Sequence, residues 1–379
     1  MSIYFLTGAS GAVGSAIVPL LLADPDTQVR LLLRADSDTT LEKRLNDLIQ
    51  FWGLSNVPGQ LMRLKAFRGD AALDNFGLPD AQYNELTNEC THAIHCAGTV
   101  RMNLPLEDAR HSAVNSAQAM VGFARKLAAA GHLIKFEYVS TLGVAGKRPG
   151  VLPEHWQDNK PVFHNTYEQA KAEAVEIIHN AITKEELPAT VHRPSMVIGD
   201  SRDGRIIHFQ IFYFICEFLS GRKTFGLFPS FGEARLDIIP VNWVADAIVA
   251  SSRDIATAGK IFHLCSGPEQ APKLEELKAL VRNTFKDHGL SVPSGLSIPR
   301  RMFAALVQLA SRLAPESKRK SLSTLPIYLD YLADQQGFGN AAYTSWLKSR
   351  SLYLPDKKDY LHNVLNYYLE MHHSQPART

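Results

Sequence analysis

Residues 1–18 read MSIYFLTGASGAVGSAIV, and this stretch decides the fold. Ile3 to Thr7 carries no charge and reads as a buried strand, while residues 12–23 have helical spacing and stop before Asp24-Pro25. Between them stand Gly8, Gly11 and Gly14, three apart. A glycine costs backbone entropy and packs nothing, so three at one strand-to-helix turn need a reason. An anion supplies one. The early glycines allow a tight turn whose N–H groups can approach a pyrophosphate, and the last lets helix and sheet pack closely. Thr7, Gly8, Ser10, Gly11, Ala12, Val13 and Gly14 are therefore the candidate floor of a dinucleotide site. The bland alternative is a turn of small residues chosen for packing alone.

The same rhythm continues along the chain. VRLLLR (29–34), LMRLKAFRGD (61–70), HAIHCAG (92–98), KFEYVST (135–141) and ATVHRPSMVIG (189–199) read as further strands. Helical patterns over 41–51, 112–130 and 167–182 separate several of them. Short apolar strands alternating with helices predict an α/β fold with a Rossmann-type, doubly wound parallel sheet. Its strands are apolar throughout because helices cover both faces. After Gly199 the pattern breaks into a loop and one aromatic helix, then returns with RLDIIPVNWVADAIVASS and GKIFHLCSG. The expected organisation is a nucleotide-binding domain of residues 1–200, joined again by 236–266. A smaller, mostly helical substrate lobe would comprise 201–235 and 267–379.

Bulk properties narrow the function. With 40 basic and 38 acidic residues the net charge is +2, and no basic stripe accompanies it, which argues against a nucleic-acid partner. The densest basic stretch, ESKRKS (316–321), reads as a solvated loop. Cys90, Cys96, Cys216 and Cys265 lie far apart without a C-x-x-C pair, so reduced thiols are expected rather than a disulfide framework or a metal site. The longest apolar run, IIHFQIFYFICEFL (206–219), is too short to span a bilayer. With no secretory signal, a cytoplasmic location is expected.

The residues after the second strand bear on which dinucleotide is held. An acid there would bind a ribose 2′-hydroxyl, whereas arginine would accept a 2′-phosphate. This strand ends in Arg34, with Arg30 on the same alternating face, Lys43 and Arg44 downstream, and Asp36 in the loop. NADP(H) is the expected cofactor. Asp70 could hold the adenine amine, and Cys96, Ala97 and Gly98 bring small residues to the carboxyl edge of the sheet.

In NTYEQAK, Tyr167 and Lys171 are i and i+4 and share a helix face. Ser140 and Thr141 end the preceding strand. Such a set can reduce a carbonyl: hydroxyls bind its oxygen, the lysine charge lowers the tyrosine pKa, and the tyrosine donates a proton. A bare Y-x-x-x-K is otherwise ordinary surface helix.

Together TGASGAVG, HCAG, Asn115, YVST, Y-x-x-x-K, HRPSMVIG and IIPVNWVADAIV resemble an extended short-chain dehydrogenase/reductase, from residue 2 to about 265. Within that superfamily LLLRADS, HCAGTVRMNLPLEDARHSAVNS, YVSTLGVAG and HNTYEQAKAEA are most similar to the thioester reductase and fatty acyl reductase branch, and YLADQQGFGNAAYTSWL (331–347) loosely to its closing segment. The resemblance implies a catalytic set of Thr141, Tyr167 and Lys171, with Asn115 supporting the lysine. It also implies that Lys171 binds the nicotinamide ribose, that Pro194, Ser195 and Val197 flank the nicotinamide, and that Arg34 and Arg44 meet the 2′-phosphate. The substrate would be an acyl thioester, on coenzyme A or a carrier protein, reduced with NADPH to an aldehyde or onward to an alcohol. With no adenylation or carrier segment in the sequence, a free-standing reductase is expected.

Between residues 206 and 231 stand eight aromatics, Phe209, Phe212, Tyr213, Phe214, Phe218, Phe225, Phe228 and Phe231. Two readings stay open: a core or dimer face, or a lip for an acyl chain or lipid surface with peripheral membrane contact. On the second, Phe209, Phe212, Tyr213 and Val144 are the candidate substrate contacts. Rival functions are a ketone or aldehyde reductase, a sugar-nucleotide epimerase, and a non-catalytic cofactor-binding regulator.

Overall fold

The computed structural model describes residues 1–156, 161–313 and 336–373. The basic stretch 316–321 and residues 331–335 of the closing motif lie outside them. Seven strands form one parallel sheet: β1 (Ser2–Thr7), β2 (Thr27–Leu33), β3 (Leu64–Arg68), β4 (His92–His95), β5 (Lys135–Val139), β6 (Ala189–Pro194) and β7 (Ile261–Leu264). Their order is β7-β6-β5-β4-β1-β2-β3. Consecutive connections therefore run outward in opposite directions from β1 and β4. Between the carboxyl ends of those two strands a crevice opens, the place where open α/β sheets hold ligands.

Both faces are covered. On one, α1 (Ala12–Leu22) lies beside α2 (Val241–Ser252); on the other lie α3 (Ser116–Ala129) and α4 (Thr166–Glu185). Residue alternation divides β1 between two cores. Tyr4 and Leu6 join the α1 side, and Ile3 and Phe5 join the α3 side. The α1-side core continues without a break into α5 (Ile211–Leu219), α6 (Leu274–Asp287), α7 (Ala341–Lys348) and α8 (Lys357–His373).

The structure departs from the sequence reading at three points. Residues 189–199 are two strands, because after Pro194 the chain leaves the sheet: Ser195 N–H donates to Leu264 at 3.0 Å and Met196 N–H to Asp237 at 3.3 Å. Met196–Ile198 then pairs with Ile238–Pro240 as a separate ribbon. The helix expected from 112 is interrupted by a π-helical turn at His111–Asn115 before α3 begins. Short strands also stand outside the main sheet, Leu227–Pro229 with Leu296–Ile298 and Gly150–Leu152 with Gln336–Phe338.

A buried polar cluster fastens β5 to β6. Lys135 and Glu137 are both fully buried on one face of β5 and pair at 2.7 Å. The lysine also donates to Thr190 Oγ1 at 2.7 Å and Thr257 Oγ1 at 2.6 Å. The second Glu137 oxygen meets His192 Nε2 at 2.6 Å and Ser251 Oγ at 3.1 Å. Both charges thus have partners in the interior, the condition for tolerating them there.

A second fastening is Glu154. Its carboxylate accepts N–H groups from His263 (2.9 Å), Ala342 (2.6 Å) and Tyr343 (3.1 Å), joining the 150–156 segment to β7 and to the first turn of α7. Burial raises its pKa against the pull of those three donors. Lys135→Met would strand the Glu137 charge in the interior, so a loss of about 3–5 kcal/mol is expected, read from denaturant unfolding midpoints.

A candidate active site at the carboxyl edge of the sheet

At the end of β1 the chain turns sharply. Gly8 has φ +84°, and a Cβ there would stand 2.6 Å from both the Cys96 carbonyl carbon and the Ala97 nitrogen. A Cβ at Gly14 would stand 2.3 Å from the Gly8 oxygen. Gly11 N–H closes the turn onto that same oxygen at 2.9 Å. The loop is thus pressed between α1 and the 96–98 backbone by contacts that only glycine allows.

His95 stitches this floor together. Its Nδ1 lies 2.8 Å from Thr7 Oγ1 and its Nε2 lies 3.2 Å from Ser116 Oγ at the start of α3. Burial, with the nearby Lys171 charge, pushes its pKa down to about 3, so the ring is neutral. Cys96, next in line, has its thiol pushed up to about 12 by burial, partly offset by Lys171. Neither His95 nor Ser116 is singled out by the sequence reading, which valued HCAG for its small residues.

The helix carrying Tyr167 and Lys171 starts at a side-chain cap. Asn165 Oδ1 accepts the Glu168 N–H at 3.0 Å, and the buried Glu168 reaches back to His164 N–H at 2.9 Å. Thr166 Oγ1 adds a bond to the Leu104 carbonyl at 2.7 Å. So anchored, α4 sets the Tyr167 hydroxyl beside the Thr141 side chain. Thr141 Oγ1 itself accepts the Gly143 N–H at 3.2 Å, in the turn that also buries Val144.

Lys171 is buried, with Nζ 5.9 Å from the Tyr138 ring centre and 3.1 Å from where a Cβ on Gly98 would be. Desolvation lowers its pKa to about 8, with Cys96 acting in the other direction. Tyr167 moves contrary to expectation. Burial raises its pKa to about 12, the Thr141 hydrogen bond pulls it down, and the Glu168 charge raises it. The lysine is not among the groups that shift it. Loss of hydration outweighs every local attraction on that phenol, which leaves it a protonated acid at neutral pH.

Asn115 lies in the π-helical turn that packs against the helix carrying Tyr167 and Lys171. Its amide meets His111 Nδ1 at 3.1 Å within the π-helical turn, and it lines a separate polar cavity of about 490 Å³ beside Asp74 and Asn75. Arg30 lies elsewhere, buried and bonded to Gln28 and Glu89. Arg34, by contrast, is exposed just past β2, 4.0 Å from Asp70, and its carbonyl accepts from Arg44.

On the other flank, Asp237 holds the loop after β7 by accepting Ser266 N–H at 2.9 Å and Gly267 N–H at 3.0 Å. Its carboxyl, beside the Ser195 hydroxyl, is raised to about 6 by burial. This braces the junction at Ser195 between Pro194, which ends β6, and the buried Val197 of the short ribbon. Asp237 was legible only as one acid before IIP, with nothing in its spacing to mark it.

Both readings of the aromatic segment find material. Phe212, Phe218 and Phe228 are core, so Phe212 takes no part in a lining. Phe209, Tyr213 and Phe214 line a cavity of about 660 Å³ with Tyr368 and His372 of α8. Among the described residues no cluster could hold a metal ion, and no helix is long and apolar enough to cross a membrane.

Gly8→Ala should weaken dinucleotide binding by at least about tenfold, since the added Cβ would push the loop off the 96–98 backbone. Titration of the purified protein with NADPH, following cofactor fluorescence, reads this directly.

Comparison with known proteins gives this geometry a family. The family model described as "Male sterility protein" matches residues 6–248. The nonribosomal peptide synthetase asaC of Aspergillus flavus is 29% identical over 72% of this chain and 27% of its own length. The L-2-aminoadipate reductase of Schizosaccharomyces pombe is 25% identical over 70% of this chain and 19% of its own. This chain thus spans about a quarter or less of either relative. The crystal structure of the terminal R domain from the myxalamid PKS-NRPS biosynthetic pathway superposes with a TM-score of 0.80 at 22% identity. That match covers all of this chain and 93% of the other, and it shows the fold. The chain belongs to the male sterility protein family, a group of NAD(P)-dependent oxidoreductases of the extended short-chain dehydrogenase/reductase type.

Proposed function

We propose that the protein reduces an acyl thioester, carried by a carrier protein or coenzyme A, to the aldehyde with NADPH. Tyr167 beside Thr141, with Lys171 one turn along the same helix, carries this reading. The relatives' printed names, a peptide synthetase and a reductase of 2-aminoadipate, favour a carrier-bound acyl group over a sugar nucleotide.

The residues fit a dinucleotide on physical grounds. Without a Cβ at Gly8 and Gly14 the loop closes onto the 96–98 backbone and the helix start closes onto the loop, which aims backbone N–H groups at a pyrophosphate. Arg34 and Arg44 would meet a 2′-phosphate, Asp70 the adenine amine, and Lys171 the nicotinamide ribose. Pro194, Ser195 and Val197 would flank the nicotinamide, which supplies the hydride when bound.

In this reading Thr141 and Tyr167 hold the thioester carbonyl oxygen with two hydroxyls. Negative charge develops there as the carbonyl carbon becomes tetrahedral, and both hydroxyls strengthen their hold on it. Tyr167, neutral at working pH, then gives its proton to that oxygen. The phenolate left for that moment keeps the Thr141 hydroxyl beside it, and Lys171 stands one helical turn along as the buried cation. When the hemithioacetal collapses, its hydroxyl proton returns to Tyr167 and the C–S bond breaks. The departing thiolate takes one proton from solvent. The sum is thioester, NADPH and one proton giving aldehyde, thiol and NADP.

Three measurements test this. Purified protein should oxidise NADPH with acyl thioesters; turnover of free aldehydes or ketones only would refute it. Tyr167→Phe should lower kcat by about 10²–10⁴ while NADPH still binds; near-normal turnover would remove Tyr167 from the mechanism. The protonated lysine is the working form, so kcat/KM should be flat below and fall as pH rises through about 8. Lys171→Arg should carry that limb upward, because guanidinium stays charged.

A further inference from the structure

Beyond the catalytic crevice, one surface combines exposed apolar side chains with predominantly basic charge. The helix Arg300–Leu313 touches the molecule through Phe303 and Val307, which are buried, with Phe303 against Phe218 at 6.0 Å between ring centres. A quarter-turn away, Met302, Ala305, Leu306 and Leu309 follow i, i+3, i+4, i+7 spacing and are all exposed. Arg301 and Arg312 border this stripe, one turn before Ala305 and one turn after Leu309.

The strand leading into the helix extends the surface. Leu296, 62% exposed, follows a junction where its N–H bonds to the Gly226 carbonyl at 2.8 Å. Beside it Phe225 stands 92% exposed, at φ +52°. That posture is enforced. Gly226 N–H bonds back to Gly221 at 2.8 Å, and a Cβ on Gly226 would strike the Ser294 carbonyl at 1.8 Å. A phenyl ring held outward by a pinned turn is an expensive arrangement with no use in water.

The charge is predominantly basic. Residues 219–231 and 290–313 contain Arg222, Lys223, Arg300, Arg301 and Arg312 and no aspartate or glutamate, and the acid that α6 brings near this surface, Glu275, is paired with Lys278 beside Ser297. An apolar stripe edged by arginines matches a lipid interface. A specific protein partner would need about one hydrogen bond per 100–200 Å², and this stripe presents almost none.

We infer that this face docks on an anionic lipid bilayer, with helix 300–313 lying in the interface and Phe225 entering it. The surface is separate from the catalytic residues, so it stands or falls independently of the thioester reading. It also relocates the membrane contact expected of the 206–219 segment, whose Phe212 and Phe218 are core.

The test is flotation of the full chain with phosphatidylcholine vesicles, with and without about a third phosphatidylserine. Wild-type protein should float with the anionic vesicles, stay behind with the neutral ones, and be released at about 0.5 M salt. Arg301→Glu/Arg312→Glu should weaken partitioning by at least about tenfold, and Leu306→Ser/Leu309→Ser should abolish it. Both variants change exposed positions, and unaltered circular dichroism and NADPH affinity would verify their folding. Absence of flotation by wild type, or flotation undiminished in both variants, overturns the proposal. So does capture of an acidic carrier protein through these residues without vesicle binding, which would assign the face to a protein partner.

Discussion

The approach of Gly8 to the backbone of Cys96 and Ala97 is the constraint on which the site depends. It is a contact between two pieces of main chain, closer than any side chain permits, and it sets the spacing of the carboxyl ends of β1 and β4. His95 bridges the same two ends through Thr7 and carries the register on to α3 through Ser116. Gly98, two residues beyond the contact, leaves room for the Lys171 ammonium. The glycine turn and the placement of Lys171 are therefore two consequences of one junction.

Desolvation governs the protonation states at that junction. Lys171, His95, Cys96 and Tyr167 are each shifted first by burial and only then by neighbours. Each shift favours the neutral form, which suits a floor that must meet a polyanion without holding counter-charges of its own. The lysine alone stays near the physiological range, while the tyrosine remains a phenol at neutral pH.

Much of this could be read from residues alone. The strand–turn–helix context of TGASGAVG was legible because glycine spacing reports a backbone requirement. Tyr167 and Lys171 were legible because i, i+4 spacing on a helix is local geometry. What escaped depends on tertiary contacts. Lys135 and Glu137 look like the charged positions of an ordinary strand, and only the helix over that face turns them into a buried pair. Asn115 was legible from its motif, but the π-helical turn that holds it and its bond to His111 were not. Pro194 signalled the end of β6 by its missing N–H, a cue that the apolar run through Ile198 concealed.

Glu154 bears on how such proteins are taken apart and recombined. A single carboxylate gathers N–H groups from β7 and from α7, although it belongs to the segment ahead of Tyr167. The closing helices are thus tied by side-chain coordination to a stretch more than a hundred residues upstream. A chimera that exchanged everything after β7 for the corresponding part of a relative would inherit a carboxylate shaped for another helix. Transplanting substrate preference between members of this family means moving residues 150–156 and the closing helices as one discontinuous cassette.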